Sequence, residues 1–268
     1  MADDEKFAEQ VIYDIIGQIL LEEKENDLVK PILEAARMGR FDRVFDSIGS
    51  FENVFKYQDS HGMTLLHYSV VYGNISAAKM FIQKGSPLNL KNREAGATPL
   101  HLAVKDGFLD IVQILVENGA DVVVGDHVGH SSIHYAAIYD YAYILNYLIM
   151  TSHVHPDIPD LHGRTPLMWA LFKNSSLLTV KSLVRLGADL NYKTTFNECP
   201  LNSALLSNSA TLIDFVLCHL SKIELNKEDI ELIGAIYFSR IHKISKKISF
   251  LAGKILSSVR HNQSFWVC

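Results

Sequence analysis

The chain has 268 residues, of which 48% are hydrophobic and 21% charged, a balance typical of a folded protein with an apolar core. The formal net charge of -5 argues against general affinity for nucleic acid. Three cysteines, Cys199, Cys218 and Cys268, show no spacing typical of a disulfide framework or a zinc site. We therefore expect a reducing, cytoplasmic environment, and the sequence shows neither a signal peptide nor a membrane span.

Residues 1–27 predict an acidic capping helix. Six apolar side chains share one helical face: Phe7, Val11, Ile12, Ile15, Ile16 and Ile19. Residues 1–30 carry nine acidic and three basic side chains, so the opposite face is acidic. We expect this helix to cover the first structural repeat, because an acidic face disfavours the alternative, which is attachment to a membrane surface.

A four-residue phrase recurs five times from residue 64 onward. It reads Thr-Leu-Leu-His at 64–67, Thr-Pro-Leu-His at 98–101, Ser-Ser-Ile-His at 131–134, Thr-Pro-Leu-Met at 165–168 and Cys-Pro-Leu-Asn at 199–202. The fourth positions are 34, 33, 34 and 34 residues apart, which is the period of ankyrin repeats. The Thr is expected to cap a short first helix, with Pro in its first turn, where a missing N–H costs little.

A second helix is expected after each phrase. Ile111, Val112, Leu115 and Val116 recur at helical spacing, and Gly119 follows where a left-handed residue would end that helix. The segment 31–40 predicts a degenerate first repeat, as end repeats are atypical. We therefore predict an all-α ankyrin-repeat solenoid, with about six helix-turn-helix repeats over residues 28–226 and terminal capping helices.

Two departures from the simple repeat are informative. One extra residue lies in the turn Lys-Asn-Arg-Glu-Ala-Gly-Ala at 91–97, and another lies between Pro-Leu-Met-Trp-Ala at 166–170 and Gly-Ala-Asp at 187–189. These features, with Leu-Leu-His-Tyr at 65–68 and Ser-Ile-His-Tyr-Ala-Ala at 132–137, resemble the ankyrin region of the ankyrin-bearing DHHC protein S-acyltransferases. The resemblance covers about residues 30–226.

The resemblance implies cytosolic repeats that recruit substrates for a membrane-embedded, zinc-bound catalytic module. This sequence contains no Asp-His-His-Cys motif, so we expect no catalytic residue and no cofactor in it. In animal members of that family, a short proline-containing peptide is bound by an Asn and a Trp in the first helices of neighbouring repeats. The matching positions hold Tyr72 and Leu102, so the same peptide motif is not expected.

A partner is expected on the concave face, which is built from the turns before each first helix and from the end of that helix. The candidate contact residues are Met63, Val71, Tyr72, Ala97, Lys105, Asp106, His130, Ile138, Tyr139, Arg164, Phe172 and Lys173. We interpret Tyr72, Tyr139 and Phe172 as equivalent positions that line an apolar groove for a partner protein or extended peptide. The alternative is that these rings pack onto their neighbours as extra core.

Other residue types do not point to chemistry. His127, His130, His153, His155 and His162 lie on separate turns without a cysteine among them, so we predict no metal site. His67, His101 and His134 belong to the repeat phrase and are expected to bond to backbone. No arrangement of Ser, His and Asp predicts a nucleophile with its base.

Residues 227–268 predict a basic amphipathic helix. Its apolar residues recur every three or four positions, and its other face carries Arg240, Lys243, Lys246, Lys247, Lys254 and Arg260. One interpretation is that it caps the last repeat. The other is that it binds an anionic membrane surface, where each basic residue contributes about 1 kcal/mol.

Two functional hypotheses remain open from the sequence. The chain is either the substrate-recruiting part of a palmitoyltransferase-like protein, which would place it at the cytosolic face of an internal membrane, or a free-standing ankyrin adaptor. In both cases we expect a monomer that binds another protein and has no activity of its own.

Overall fold

The computed structural model describes residues 29–48, 54–207 and 209–219. Residues 29–37 are helical (α1). The helices that follow are α2 (Phe41–Ile48), α3 (Leu65–Val71), α4 (Ile75–Gln83), α5 (Pro99–Lys105), α6 (Leu109–Glu117), α7 (Ser132–Ile138), α8 (Ala142–Ser152), α9 (Pro166–Phe172), α10 (Leu177–Arg185), α11 (Pro200–Leu206) and α12 (Ala210–Cys218), with a 3₁₀ turn at Val54–Lys56. These residues contain helices and no strand, so the prediction of an all-α ankyrin-repeat fold is confirmed.

The helices form consecutive pairs, each with a first and a second helix. They fall into two compact units that divide after Asp121. Unit 1 contains α1 to α6, and unit 2 contains α7 to α12. The two predicted terminal helices, residues 1–27 and 227–268, lie outside the described residues, and the predicted domain boundaries stay predictions.

Each first helix from α3 onward begins where the repeated phrase predicts. The side chains of Thr64, Thr98 and Thr165 accept the backbone N–H three residues later. Such a cap stabilises a helix by about 1 kcal/mol. Proline occupies the first turn of α5, α9 and α11, where no hydrogen-bond donor is lost. These hydrogen bonds confirm the predicted capping role of the three threonines.

Three of the second helices are followed by a glycine in the left-handed region. Gly85, Gly119 and Gly187 have φ values of +82°, +92° and +101° after α4, α6 and α10. Glycine adopts this conformation without the steric cost that a Cβ atom imposes. The prediction for Gly119 is thus confirmed, while His153, with φ +52°, occupies the corresponding place after α8.

The core of each unit lies between its helices. The largest fully buried side chains are Leu65, Leu66, Phe81, Leu100, Ile111 and Leu115 in unit 1, and Ile133, Leu145, Leu148, Leu167, Met168 and Leu171 in unit 2. In both units these residues come from first and second helices alike. A single helix pair could not bury this set, so neighbouring pairs depend on each other for stability.

The second extra residue lies in the turn between α9 and α10. This turn spans four residues, whereas three separate the helices of the preceding pairs. Ser175 donates its hydroxyl to the Ala137 carbonyl at 2.7 Å, and Ser176 donates its backbone N–H to Asp140 Oδ1 at 2.9 Å. The longer turn is therefore bonded to the preceding pair, both at the end of α7 and at the turn that follows it.

Candidate partner-binding surface

The turn before α9, which we call its finger, is organised by the carboxylate of Asp160. Oδ1 accepts the backbone N–H groups of His162 and Arg164 at 2.8 and 2.9 Å, and Oδ2 accepts the indole N–H of Trp169 at 2.8 Å. Burial raises the pKa of Asp160, but the hydrogen bonds from Trp169 and from the backbone outweigh it and lower the pKa below its usual value. The carboxylate is therefore charged at neutral pH and joins the finger to the first helix.

The same pairing of a finger carboxylate with an aromatic donor nine residues later occurs in two other repeats. Tyr135 donates its hydroxyl to Asp126 at 3.0 Å, and Tyr68 donates to Asp59. The two remaining repeats lack both partners, and their residues at these positions are Asn92 with Leu102 and Thr194 with Ser203. The sequence analysis missed this pairing, although an acid nine positions before Tyr or Trp is a readable signal.

Trp169 is the centre of an aromatic and cationic cluster in unit 2. The rings of His130 and Phe172 meet it edge-on, with centroids 4.8 and 5.8 Å away. The Arg164 guanidinium carbon and the Lys173 ammonium lie 5.7 and 5.9 Å from its centroid. Cation–π contacts at exposed sites contribute about 0.5–1 kcal/mol each. The indole is therefore fixed by several neighbours as well as by its hydrogen bond.

Arg164 and Glu198 connect the fingers before α9 and α11. The guanidinium donates from Nε at 2.7 Å and from the terminal nitrogen at 3.0 Å to the two carboxylate oxygens. These hydrogen bonds hold the pKa of Glu198 below its usual value and raise the pKa of Arg164. Both groups are charged at neutral pH, and their charges compensate each other.

A cleft of about 290 Å³ opens between α9 and α11. We call it the aromatic cleft, and it is lined by Arg164, Met168, Trp169, Phe172, Glu198, Asn202, Ser203 and Leu206. Phe172 is 47% exposed and Leu206 is 61% exposed, so two neighbouring large apolar side chains at the cleft face solvent. The cleft thus has an apolar end, where α9 and α11 end, and a polar end at the fingers, where the Arg164–Glu198 pair lies.

The structure brings four of the predicted contact residues together around Trp169. These are His130, Arg164, Phe172 and Lys173. Tyr139 lies at the end of the neighbouring first helix, 42% exposed, with its ring 6.0 Å from that of Tyr135. Ile138 is half-buried beside it.

The interpretation of Tyr72, Tyr139 and Phe172 as equivalent positions is wrong. Tyr72 and Tyr139 are the residues that follow α3 and α7, whereas Phe172 is the last residue of α9 and corresponds to Val71 and Ile138. Lys173 takes the position that follows the helix. One position corresponds to about 100° around a helix, so the ring of Phe172 projects in a different direction from the two tyrosines.

In unit 1, Tyr72 packs onto the preceding helix pair, α1 and α2. Its hydroxyl donates to the Arg37 carbonyl at 2.7 Å, and its ring meets Phe41 at 6.0 Å between centroids, although half of its surface stays exposed. This contact agrees with the alternative that the ring of Tyr72 is extra core.

The other predicted contact residues of unit 1 differ in exposure. Val71, Lys105 and Asp106 are exposed, and Met63 is half-buried. Ala97 is buried, so its predicted exposure on the concave face is wrong.

Tyr72 belongs to unit 1 and Tyr139 to unit 2, so a continuous stripe across both stays a prediction. The basic residues proposed for membrane contact, Arg240, Lys243, Lys246, Lys247 and Lys254, lie outside the described residues. In the part of the chain that the structure describes, no helix has the length and hydrophobicity needed to cross a membrane. That part also holds no group of three or more side chains placed to ligate a metal ion.

The chain belongs to the ankyrin-repeat family. The family described as "Ankyrin repeats (3 copies)" matches residues 23–126 and 133–229, which is most of the chain and includes all the described helices except the first residue of α7. The match agrees with the repeat period, with the capped first helices and with the left-handed residues that end the second helices.

Several curated relatives are palmitoyltransferases. The chain is 35% identical to palmitoyltransferase Hip14 of Drosophila melanogaster over 185 residues, which is 68% of this chain and 28% of the relative. It is 28% identical to human palmitoyltransferase ZDHHC13 over 200 residues (74% and 31%), and 28% identical to palmitoyltransferase AKR1 of Lachancea kluyveri over 207 residues (74% and 28%). The chain therefore spans less than a third of the length of these relatives.

Proposed function

We propose that this chain binds another protein through the fingers and first helices of its repeats, and that it is the substrate-recruiting region of a palmitoyltransferase-like protein. The observation that carries the proposal is the cluster of exposed rings at the ends of α7 and α9, backed by the fixed indole of Trp169. Large, rigid aromatic side chains provide most of the binding energy at many protein interfaces. The similarity to palmitoyltransferases supports the second half of the proposal.

The first experiment tests the binding surface. Replacing Tyr139 and Phe172 together by Ala removes the two exposed rings, and neither ring is among the fully buried side chains of unit 2. We expect the amount of each captured partner to fall about tenfold in quantitative affinity purification, because hot-spot aromatics contribute about 2 kcal/mol or more.

The matched control changes exposed side chains on second helices instead. Tyr143 of α8 is 78% exposed and Leu178 of α10 is 53% exposed, so their double replacement by Ala removes similar apolar area from another face. Partners should be retained by this control. Retention by both variants, or equal loss from both, would contradict binding through the first-helix surface.

The second experiment separates recruitment from a free-standing adaptor role. A chimera carries this chain in place of the matching segment of Drosophila Hip14, and S-acylation of the captured partners is measured by acyl exchange. Recruitment predicts that partners gain the acyl group with the intact surface and lose it with the Tyr139→Ala, Phe172→Ala variant. Partners that bind the chimera without becoming acylated would favour the adaptor alternative.

A further inference from the structure

We propose that the aromatic cleft receives a large apolar side chain from a partner protein segment that carries a carboxylate within one or two residues of it. This inference rests on the proposed function and specifies the chemistry of the partner. Three features of unit 2 support it: the apolar end of the cleft, the compensated charges at its polar end and the position of Lys173.

The apolar end of the cleft exposes two large hydrophobic side chains to solvent. Phe172 and Leu206 are 47% and 61% exposed, and both lie at the ends of first helices that pack against each other. Burial of apolar surface contributes roughly 25 cal/mol per Å². A side chain of the size of Leu or Phe would cover both residues, and the volume of about 290 Å³ accommodates it.

The cleft is already ordered without a partner. Trp169 is bonded to Asp160 at 2.8 Å and is wedged between the rings of His130 and Phe172. A wall that is fixed in advance lowers the entropic cost of binding. The cleft therefore behaves as a formed pocket, in contrast to a collection of mobile surface side chains.

The two charged residues that line the polar end, Arg164 and Glu198, compensate each other. Arg164 and Glu198 form two hydrogen bonds, and the Asp160 carboxylate is engaged by Trp169 and by two backbone N–H groups. A partner gains little from these groups, because it would have to break their existing bonds.

Lys173 is the charge that remains for a partner. Its ammonium lies 5.9 Å from the Trp169 centroid and 5.8 Å from the Phe172 centroid, and its side chain is exposed. Among the described residues, no carboxylate forms an ion pair with it. A carboxylate beside the inserted side chain would complement this cation, whereas a single lysine is insufficient for a nucleic acid backbone. The complementary partner is thus an acidic, partly apolar protein segment.

The experiment uses the full chain and a display library of random 12-residue peptides. We expect the wild type to enrich peptides with Asp or Glu within two residues of Phe, Leu or Trp. The same selection on Lys173→Glu should enrich Lys or Arg at that place, because charge reversal reverses the electrostatic preference. Lys181→Glu, an exposed charge reversal on α10, is the matched control and should select as the wild type does.

Affinities are then measured with a fluorescein-labelled synthetic copy of the most enriched wild-type peptide. Anisotropy titration should show binding about tenfold weaker for Lys173→Glu and for Phe172→Ala, and unchanged for Lys181→Glu. Circular dichroism melting of each variant confirms that the comparison is between folded proteins.

Two results would overturn the inference. One is the selection of peptides that bind Lys173→Glu and Phe172→Ala as tightly as the wild type, and the other is the absence of any enriched peptide. If cellular partners still depend on Tyr139 and Phe172 together, the proposed function stands without this pocket chemistry. If those partners also ignore the ring substitutions, the proposed binding surface is wrong as well.

Discussion

His153 occupies a left-handed position that glycine fills after the other comparable helices. His153 follows α8 and has a φ of +52°, whereas Gly85, Gly119 and Gly187 take this place after α4, α6 and α10. For a residue with a Cβ atom this conformation costs about 1 kcal/mol. The fold imposes the conformation because the second helix must end there for the chain to reach the next finger.

We predict that His153→Gly stabilises the protein. The free energy of unfolding should rise by about 0.5–1 kcal/mol, because the strain removed exceeds the extra entropy of glycine in the unfolded chain. Urea denaturation followed by circular dichroism measures the change. His153→Ala is the control, since it removes the imidazole and keeps the Cβ atom, and it should give no gain. Equal stability of both variants would contradict strain at this position.

At the residue scale, the sequence predicts those features that depend on local geometry. Thr64, Thr98 and Thr165 cap their helices as predicted because a cap needs only a side-chain oxygen at a fixed offset from an N–H. The role of Trp169 was not predicted, because its partner Asp160 reaches it only after the finger has folded back onto α9. The spacing of nine residues is visible in the sequence, but only the folded turn shows that the two side chains bond to each other.

At the scale of the elements, the turn between α9 and α10 is held by Asp140. Its Oδ1 accepts the backbone N–H and the hydroxyl of Ser176 at 2.9 and 2.8 Å, and the hydroxyl of Thr179 at 2.6 Å. Asp140 itself has φ +64°, a conformation that Asp and Asn tolerate better than most residues. One carboxylate thus fixes the start of α10 from the preceding pair.

We predict that Asp140→Gly destabilises the protein although it removes a strained backbone position. Loss of an acceptor for three hydrogen bonds should lower the free energy of unfolding by about 1–2 kcal/mol. Hydrogen exchange at the Ser176 amide should become faster. Asp140→Asn keeps an acceptor oxygen and should show a smaller effect in both measurements. Unchanged protection of the Ser176 amide in Asp140→Gly would exclude this role.

The location of the extra residue could not be read from the sequence. Counting from residue 170 to residue 187 shows that one residue is added, but a longer helix and a longer turn give the same count. The structure places it in the turn because Ser175 and Ser176 find acceptors in the preceding pair. These two hydrogen bonds join residues that are 38 and 36 positions apart in the chain, so no local sequence pattern shows them.

At the scale of the whole molecule, a buried neutral histidine recurs in both units. His67 Nδ1 accepts the Thr64 N–H at 3.2 Å, and His134 Nδ1 accepts the Ser131 N–H at 3.1 Å. The proton therefore sits on Nε2, which donates to the Ala97 carbonyl from His67 and to the Arg164 carbonyl from His134. Burial lowers the pKa of both histidines to about 4.

We predict that acid destabilises both units through these histidines. Each pKa is lower in the folded state than the usual 6.5, so unfolding takes up protons at pH values between about 6.5 and 4. The contribution of the two histidines to the free energy of unfolding is fully present above pH 6.5 and is lost as the pH falls towards 4. The loss is up to about 1.4 kcal/mol per pH unit for each histidine.

Urea denaturation at pH 7, 6 and 5 tests this expectation. His67→Gln with His134→Gln is the informative variant, because Gln at the third helical position can accept the same capping hydrogen bond without titrating. Its stability should fall less between pH 7 and pH 5 than that of the wild type. Parallel pH dependences would show that other groups control acid stability.

The repeat period predicts the class of the whole molecule, but it does not predict the division after Asp121. The phrases at 98–101 and 131–134, on the two sides of that point, are similar and give no sign of a boundary. Periodic phrases describe what the repeats share, so they carry no information about where such a division falls. The register of Phe172 is different, because Phe172 lies seven residues after Thr165, whereas Tyr72 and Tyr139 lie eight residues after Thr64 and Ser131. Counting from the phrase therefore separates these positions from sequence alone.

The pairing of each finger acid with a donor nine residues later has a consequence for recombination. Asp59 occurs with Tyr68, Asp126 with Tyr135 and Asp160 with Trp169, and the two repeats without the acid also lack the donor. A crossover between finger and first helix would separate the partners and leave a carboxylate without its donor. The segment that can be exchanged intact therefore begins before the finger, which makes the second helix the natural junction for shuffled or designed arrays.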